Sequence, residues 1–287
     1  MKKKFFAAIT CVCALALTCV VFAGCSSNSS SSGTTSQQST STQTAVNSQG
    51  NGFTLKLGFD QSYPPYGFVG NDGAYTGFDI DLAKAVCEKN GWGLELIPID
   101  WDAKDALLSQ GNINCIWNGF TREGRESNYT FSDSYMLNEQ VMVVKNNSGI
   151  SSFKNLAGKT VMTQADSAAL SVLNDSQKSL TDTFSGGTVQ TIGDYNNAFM
   201  QLESGMVDAV ACDLSIAQYK IAQNSGKYEM LSEPLSEEHY AVGFKKGESE
   251  IANQVTETLK QLNADGTVKT LCEKYAEYGM SYSNWVL

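Results

Sequence analysis

An arginine follows the end of a strand-like apolar run in the stretch NCIWNGFTREGRESNYTF, residues 114–131. Strand ends that open into polar turns are common ligand sites in α/β proteins, because backbone and side-chain donors face a crevice there. A planar guanidinium grips a carboxylate through two parallel hydrogen bonds, which fix its orientation. Arg125 is therefore a candidate carboxylate-binding residue, and a surface ion pair with Glu123 or Glu126 is the alternative.

Nucleophilic and metal chemistry have little support in this sequence. The only histidine is His239, and no Ser-His-Asp order or phosphate-binding loop accompanies it. Four cysteines of the mature region, Cys87, Cys115, Cys212 and Cys272, are widely spaced in apolar stretches, without the CxxC or Cys/His spacing of a zinc site. We therefore expect no catalytic residue, no metal and no cofactor. The cysteines are expected to be buried thiols, and oxidation of a pair is the alternative.

The N-terminal segment has the pattern of an export signal. Residues 1–24 contain three lysines, an apolar run and the small residues Ala23 and Gly24 directly before Cys25. This predicts a lipoprotein signal peptide in which Cys25 is lipidated, and a retained membrane helix is the alternative. The protein is then exported and anchored to the outer face of the cytoplasmic membrane.

A polar, uncharged segment follows the predicted signal. Residues 26–52 contain 15 Ser or Thr and no charge, so with Cys25 we interpret 25–52 as a flexible tether spanning on the order of 30 Å. A glycosylated stalk remains the alternative.

The rest of the chain is acidic. Without the three signal lysines it carries 17 basic and 30 acidic residues, which argues against a nucleic-acid partner.

Strand and helix patterns alternate along the rest of the chain. A first unit combines strands at 54–59, 94–100 and 113–117 with helices over 78–91 and 103–112, while the two prolines predict an irregular rigid loop over 61–68. A second unit combines strands at 158–164, 188–193 and 206–213 with helices over 166–175, 194–205 and 214–226. Extended runs at 139–145 and from His239 to 246 connect the units, and two helices end the chain. Two lobes with a cleft and a hinge are predicted.

The mature region resembles the extracellular solute-binding proteins of polar amino-acid ABC transporters, family 3. The stretches that carry the resemblance occur in family order: YPPYGF, TGFDIDLAKAV, LLSQGN, GFTREGRE, FSDSY, NLAGKTVMTQADS, MVDAVACD and LNADGT. The resemblance implies a type II periplasmic-binding-protein fold, an α/β fold with two lobes joined by two extended hinge crossings. Lobe 1 is expected at 53–138 and 239–287, and lobe 2 at 139–238.

The resemblance also implies a binding site for a free amino acid between the lobes. The ligand carboxylate is expected at Arg125, Thr121, Ser167 and Ala168, where the start of a lobe 2 helix adds N–H groups and a helix dipole. The ammonium group is expected at Asp213 and the Gly119 carbonyl, and a helix N-cap is the alternative role for Asp213. The side-chain pocket is expected to comprise Asp60, Tyr63, Trp101, Asn118 and Gln164, with core packing as the alternative for Trp101.

The implied function is delivery of a polar or basic amino acid to an ABC importer. Asp60 and the aromatic rings favour Arg, Lys or His, followed by glutamine or cystine. The expected partners are the free amino acid, the transporter permease and, through Cys25, the membrane, with the protein as a monomer. One alternative is an enzyme of the same fold, such as a dehydratase that uses Asp60 or Glu139. The others are an adhesin and the sensor domain of a receptor, which would require a second membrane span.

Overall fold

The computed structural model describes residues 52–287. The predicted signal at 1–24, the lipidation site Cys25 and the tether up to residue 51 lie outside the described residues. Within the described range, no helix combines the length and apolarity needed to cross a bilayer.

Strands and helices alternate through the described part of the chain. The strands are β1 (Thr54–Phe59), β2 (Ser62–Tyr63), β3 (Gly67–Val69), β4 (Tyr75–Thr76), β5 (Gly93–Pro98), β6 (Cys115–Ile116), β7 (Tyr129–Phe131), β8 (Met136–Lys145), β9 (Val161–Gln164), β10 (Gln190–Ile192), β11 (Ala209–Asp213), β12 (Tyr228–Met230), β13 (Ser236–Tyr240) and β14 (Gly243–Lys245). The helices are α1 (Phe78–Asn90), α2 (Lys104–Gln110), α3 (Ala168–Asn174), α4 (Lys178–Thr181), α5 (Tyr195–Ser204), α6 (Leu214–Gln223), α7 (Ser249–Ala264) and α8 (Thr267–Lys274).

The first lobe is built on a five-stranded sheet in the order β5-β1-β6-β14-β7. β1 is parallel to β5 and β6, as the alternating pattern predicted, whereas β14 returns from the other lobe and runs antiparallel to its neighbours. Helix α1 ends at Asn90, and Gly91 caps it with a left-handed φ of 66°. The helix buries Phe78, Ile80 and Leu82 in the core.

The second lobe is built on a sheet in the order β10-β9-β11-β8-β12. β9 is parallel to β10 and β11, and β8 runs antiparallel to β11 and β12. Both sheets are therefore mixed, with three neighbouring parallel strands forming one side of each. In such sheets, ligand sites form beyond the carboxyl ends of the parallel strands, and β9 and β11 end at Gln164 and Asp213.

Two strands connect the lobes and pair with each other. In this antiparallel ribbon, which we call the hinge strands, β13 pairs with the first half of β8, and Asn138 lies opposite Glu238. Side chains alternate across it: Asn138 and Gln140 are buried on one face, whereas Leu137 is exposed on the other. The hinge strands therefore present a row of polar side chains to the interior.

Two local predictions differ from the structure. Residues 61–68 are not wholly irregular, because Ser62 pairs with Phe68 and Tyr63 with Gly67 in a small three-stranded sheet. Both prolines lie in the turn between these strands, where no ladder N–H is needed. Both crossing strands begin three residues before their predicted starts, at Met136 and at Ser236.

All four cysteines of the described residues are buried free thiols. Burial raises the pKa of the Cys87 and Cys272 thiols to about 12. Buried thiols with raised pKa values are poor nucleophiles, because the thiolate is the reactive form. They contribute to packing, in keeping with the sequence prediction.

Candidate functional site

A small cavity lies where the carboxyl ends of β9 and β11 approach the first lobe. It has an empty volume of about 270 Å³. Nine residues line it, all of them predicted ligand contacts: Tyr63, Trp101, Gly119, Thr121, Arg125, Gln164, Ser167, Ala168 and Asp213. The structure thus brings together residues that are up to 150 positions apart in the sequence.

A wider groove, of about 1160 Å³, lies elsewhere on the first lobe. Apolar side chains such as Phe53, Leu108 and Ile113 form much of its wall, and Lys245 and Glu248 lie at it. It contains none of the predicted ligand contacts. We take the smaller cavity as the candidate site, because Arg125 and Asp213, which are opposite in charge and belong to different lobes, both line it.

Arg125 presents its guanidinium at the cavity with no carboxylate partner among the described residues. Its Nη1 donates to the Thr121 carbonyl at 3.1 Å, and its Nη2 to the Asp166 carbonyl of the second lobe at 3.4 Å. The guanidinium stacks on the Phe120 ring at 4.9 Å. Glu123, one of the alternative partners, binds His239 instead, at 2.8 Å from Oε1 to Nδ1. These contacts orient Arg125 but leave its charge available to an anion.

Thr121 contributes less to an anion site than the sequence predicted. Its hydroxyl donates to Glu238 Oε1 at 2.7 Å. A hydroxyl has one proton to donate, so in this arrangement only the backbone N–H of Thr121 remains for a ligand carboxylate.

Ser167 and Asp166 occupy different roles at the start of α3. Ser167 is the N-cap, and its hydroxyl accepts from Leu170 N at 3.1 Å. Ala168 is the first helical residue, so its N–H lacks an intrahelical acceptor. Asp166 has a left-handed φ of 56° and forms an ion pair with Lys104 of the first lobe.

Asp213 ends β11, and its carboxylate faces the hinge strands. Its Oδ1 accepts from Asn138 Nδ2 at 2.9 Å, Gln140 Nε2 at 2.7 Å and the Tyr240 hydroxyl at 2.8 Å. No side-chain bond caps α6, although Asp213 occupies the N-cap position. Burial raises the pKa of Asp213, and the nearby hydroxyls of Tyr63 and Tyr240 oppose the rise. This buried anion suits a cation better than a helix cap.

Gly119 faces the cavity because a buried carboxylate holds its backbone. The Gly119 N–H donates to Asp79 Oδ2 at 2.6 Å, and both oxygens of Asp79 accept from the Tyr135 hydroxyl. A φ of 57° at Gly119, with Tyr63 and Tyr240 rings about 3.1 Å from where a Cβ would lie, leaves room only for glycine.

Asp60 and Asn118, both predicted pocket residues, do not line the cavity and reach it through hydrogen bonds. Asp60 Oδ2 accepts from Gln164 Nε2 at 2.8 Å, Asp60 Oδ1 from Ser62 N at 2.7 Å, and Asn118 Oδ1 from Asp60 N at 2.7 Å. Burial is the main reason why the pKa of Asp60 is raised, and Asp194 and Asp100 add to it. Gln164 lines the cavity itself. Asp60 therefore acts on the pocket through its charge and through Gln164.

Aromatic rings form the apolar walls. Tyr63 packs on Tyr195 of the second lobe, with ring centroids 6.1 Å apart. Trp101 is 8% exposed and packs edge-on against Phe120 at 5.7 Å, while it also lines the cavity. Both readings of Trp101, core packing and pocket wall, are therefore compatible. The Lys104 ammonium lies 5.3 Å from the Trp101 ring centre.

Residues 55–278 match the family of bacterial extracellular solute-binding proteins, family 3. The chain belongs to this family. The match covers both lobes, and the two-lobed α/β fold of type II amino-acid binding proteins is confirmed by similar solved structures.

Relatives of this solute-binding protein are named for amino acids and ABC transport. The L-cystine-binding protein TcyJ of Escherichia coli (strain K12) is 28% identical over 225 residues, covering 77% of this chain and 82% of TcyJ. The ABC transporter glutamine-binding protein GlnH of Bacillus subtilis (strain 168) is 27% identical over 283 residues, covering 96% and 97%. An ABC uptake transporter substrate binding protein from Streptococcus pneumoniae with bound histidine has a TM-score of 0.75 and 34% identity, covering 77% of this chain and 92% of that chain.

Sequence reasoning missed the polar side chains of the hinge strands. In the interior, Asp213 accepts hydrogen bonds from Asn138, Gln140 and Tyr240. Glu238 accepts from the same two amides, those of Asn138 and Gln140. Their signal was available as polar residues at alternate positions of extended runs, but Glu238 lay before the predicted strand start. Glu139, considered earlier for catalysis, lies on the opposite face of β8 from Asn138 and Gln140. No metal-binding cluster of His, Cys, Asp or Glu occurs in residues 52–287.

Proposed function

We propose that this protein binds a free polar or basic L-amino acid in the cavity between its lobes. The single observation that carries the proposal is the position of Arg125, whose unpaired guanidinium lines the same cavity as the buried Asp213 carboxylate. A cation from one lobe and an anion from the other match the carboxylate and ammonium groups of a zwitterion.

The two ends of the zwitterion are held by different lobes. Arg125, Thr121 and Gly119 belong to the first lobe, whereas Asp213 and the Ser167–Ala168 turn belong to the second. Only a closed arrangement satisfies both ends, so a bound amino acid selects closure. Ser167 and Ala168 add backbone donors beside the carboxylate, and the Gly119 carbonyl accepts from the ammonium.

The side-chain preference follows from charge and aromatic walls. Asp60 places a buried negative charge behind Gln164, and the rings of Tyr63 and Trp101 hold cations or flat groups by their faces. We rank Arg, Lys and His first, and glutamine and cystine next. The relatives named above are known for cystine, glutamine and histidine, which supports this range.

Delivery to an ABC importer completes the proposed function. The closed lobes form the surface that a permease recognises, and lipidated Cys25 with the 25–52 tether holds the exported domain at the outer face of the membrane. We assign 53–138 and 239–287 to lobe 1 and 139–238 to lobe 2, and the protein acts as a monomer. No cofactor is needed for any of these steps.

An eliminating enzyme of the same fold is the second candidate, and Glu238 is the observation that bears on it. Burial and the neighbouring Asp213 raise the pKa of Glu238 to about 7, a value suited to a general acid or base. A binding protein returns its ligand unchanged. The relatives reported are named as binding proteins, which favours binding over turnover.

The test is calorimetric titration of residues 52–287 with each common amino acid and with cystine. The protein is unfolded and refolded first, so that carried ligand is removed. Tight binding of one or a few amino acids, recovered unchanged by mass spectrometry, is the expected result. Absence of binding across the panel overturns the proposal, and chemical conversion of the bound compound selects the enzyme instead.

A further inference from the structure

Two buried carboxylates share the same two hydrogen-bond donors at the hinge. Asn138 Nδ2 lies 2.9 Å from Asp213 Oδ1 and 2.8 Å from Glu238 Oε1. Gln140 Nε2 lies 2.7 Å from Asp213 Oδ1 and 2.8 Å from Glu238 Oε1. Asp213 is 5% and Glu238 3% exposed. The side-chain amides of Asn138 and Gln140 thus hold Asp213 Oδ1 and Glu238 Oε1 close together. We call Asp213 and Glu238 the carboxylate pair.

Nothing in the described part of the chain neutralises the carboxylate pair. Its other donors are neutral hydroxyls, those of Thr121 and Tyr240. None of the ion pairs among the described residues includes either carboxylate. Two like charges this close in a buried site are strongly disfavoured, and a shared proton or a cation relieves them.

We infer that the carboxylate pair holds one proton in the ligand-free protein and exchanges it for the ammonium group of the ligand. Glu238 is then a second acidic residue of the ammonium site, supplied by the hinge. The inference rests on the proposed function, because the incoming cation is the amino acid's own ammonium group. The proton leaves to solvent, and no bond of the ligand is broken.

Other groups around the carboxylate pair do not take this proton between about pH 5 and pH 9. Burial raises the pKa values of the surrounding tyrosine hydroxyls and of one thiol well above their ordinary range: Tyr63, Tyr66, Tyr195, Tyr240 and Cys212. The Arg125 guanidinium donates to the Thr121 carbonyl and has no atom that accepts a proton. Glu237 and the His239–Glu123 ion pair belong to the exposed side of β13. Two further acidic residues, Asp60 and Asp79, lie near the cavity. The variants Asp60→Asn and Asp79→Asn distinguish their protons from that of the carboxylate pair.

The direction of the linkage follows from the charge of the ligand. An ammonium beside the pair lowers its pKa, so the free protein binds more protons than the complex. Complex formation therefore releases protons, and affinity rises with pH. The rise occurs below about pH 7, since burial and Asp213 raise the pKa of Glu238 in the free protein to about 7. Its limiting slope is about tenfold in Kd per pH unit.

The decisive experiment is calorimetry of the wild-type protein with the best-binding amino acid in buffers of different ionisation enthalpy. The inference expects the apparent enthalpy to depend on the buffer, with up to one proton released near about pH 6 and less at about pH 8. Binding without proton release at either pH overturns the inference while leaving the proposed function intact. Failure to bind any amino acid overturns the proposed function itself.

A matched pair of variants assigns the proton. Glu238→Gln keeps the shape of the side chain and is expected to abolish proton release and to flatten the pH dependence of Kd. Glu237→Gln, an exposed neighbour on β13, is expected to behave as wild type. Asp79→Asn and Asp60→Asn are expected to retain the release. Proton release that persists in Glu238→Gln, or disappears in Asp60→Asn, contradicts the assignment.

An infrared measurement covers the case in which Glu238→Gln does not fold. Infrared spectra of the ligand-free Asp79→Asn variant, which lacks the other carboxyl whose pKa burial raises to about 7, are recorded between about pH 5 and pH 9. They are expected to show a protonated-carboxyl band that disappears near about pH 7, where Glu238 titrates. The band is expected to weaken on addition of ligand at about pH 6. A band that is unchanged by ligand overturns the exchange.

Discussion

Gln164 of the second lobe donates to Asp60 of the first lobe, with 2.8 Å between Nε2 and Oδ2. The same Nε2 lies 3.0 Å from the Gly193 carbonyl, so the amide is fixed at its own lobe while it reaches across the cleft. A charge-assisted bond of this kind stabilises the closed arrangement. It also places the Asp60 charge directly behind a cavity-lining side chain.

Asp60 is expected to favour cationic ligand side chains. In the Asp60→Asn variant, affinity for arginine, lysine or histidine should fall by roughly tenfold to a hundredfold, since hydrogen bonds to charged groups contribute about 1.5–3 kcal/mol. Affinity for glutamine should change much less, because its side chain carries no charge. Calorimetric Kd values for arginine and glutamine measure the difference. An equal loss for both ligands would remove Asp60 from the discrimination and leave it a role in closure alone.

Lys104 and Asp166 are expected to act as a latch for the closed lobes. Lys104 has a side chain that is 2% exposed, its partner Asp166 lies across the cleft, and burial lowers the Lys104 pKa while Asp166 opposes this. Asp166→Asn removes the charge yet tolerates the left-handed backbone. We expect affinity to fall several-fold, by a common factor for all ligands, with unchanged ranking.

Asp182→Asn is the matched control for the latch, because it breaks a pair with Lys178 within lobe 2. Calorimetry with two different ligands, and small-angle scattering for the ligand-free shape, measure the effect. A change of ligand ranking in Asp166→Asn would place Lys104 or Asp166 in contact with the ligand side chain.

Arg125 is expected to be indispensable for binding and dispensable for folding. Arg125→Ala removes the carboxylate grip, and the loss of two charge-assisted hydrogen bonds predicts at least a hundredfold weaker binding. The melting temperature should change little, because the guanidinium forms no ion pair among the described residues and donates to two carbonyls, of Thr121 and Asp166. Arg122→Ala, on the same turn, is the control. Unchanged affinity in Arg125→Ala would contradict the assignment of Arg125 as the residue that binds the ligand carboxylate.

Asp213 is expected to bind the ligand ammonium rather than cap α6. Asp213→Asn keeps the volume but removes the charge, and loss of one partner from a buried pair costs about 3 kcal/mol or more, roughly a hundredfold in Kd. The helix content should remain, since no side-chain bond from Asp213 caps α6. Calorimetry and circular dichroism together measure this. Normal affinity with a loss of helix would return Asp213 to a structural role.

The fold and most of the cavity wall followed from sequence because their signals are local or belong to the family. Arg125, Thr121 and Gly119 lie on one turn, and Ser167 and Ala168 on another, so each group is brought to the cleft as a unit. Asp213 was recognisable at the end of a buried strand. These residues come together in the cavity once the strands are arranged in the correct order.

The hinge network was missed because its bonds join residues far apart in the chain. Asn138 and Glu238 are one hundred positions apart, and neither carries a motif. The predicted start of the second crossing strand at His239 also left Glu238 outside the ribbon. The Lys104–Asp166 pair depends likewise on how the lobes close, which periodicity does not specify. Tertiary pairing of this kind is invisible to a pattern along one segment.

Asp79 is expected to make the stability of the protein pH-dependent. Its side chain is fully buried, and burial raises its pKa from 3.8 to about 7, against hydrogen bonds from Gly119 and Tyr135. Between these two values the folded state retains a proton that the unfolded state has lost. The contribution of Asp79 to stability is therefore complete below about pH 4 and is lost as pH rises towards 7, by an amount on the order of a few kcal/mol.

Asp79→Asn isolates this effect from that of Glu238, whose raised pKa acts in the same direction. The free energy of unfolding is measured by denaturant titration of wild type and variant at several pH values. The difference between wild type and Asp79→Asn should move in favour of the variant as pH rises from about 4 to about 7, and then stay constant. A difference that is the same at every pH would mean that Asp79 keeps its ordinary pKa in the folded protein, and that hydrogen bonds from Gly119 and Tyr135 outweigh its burial.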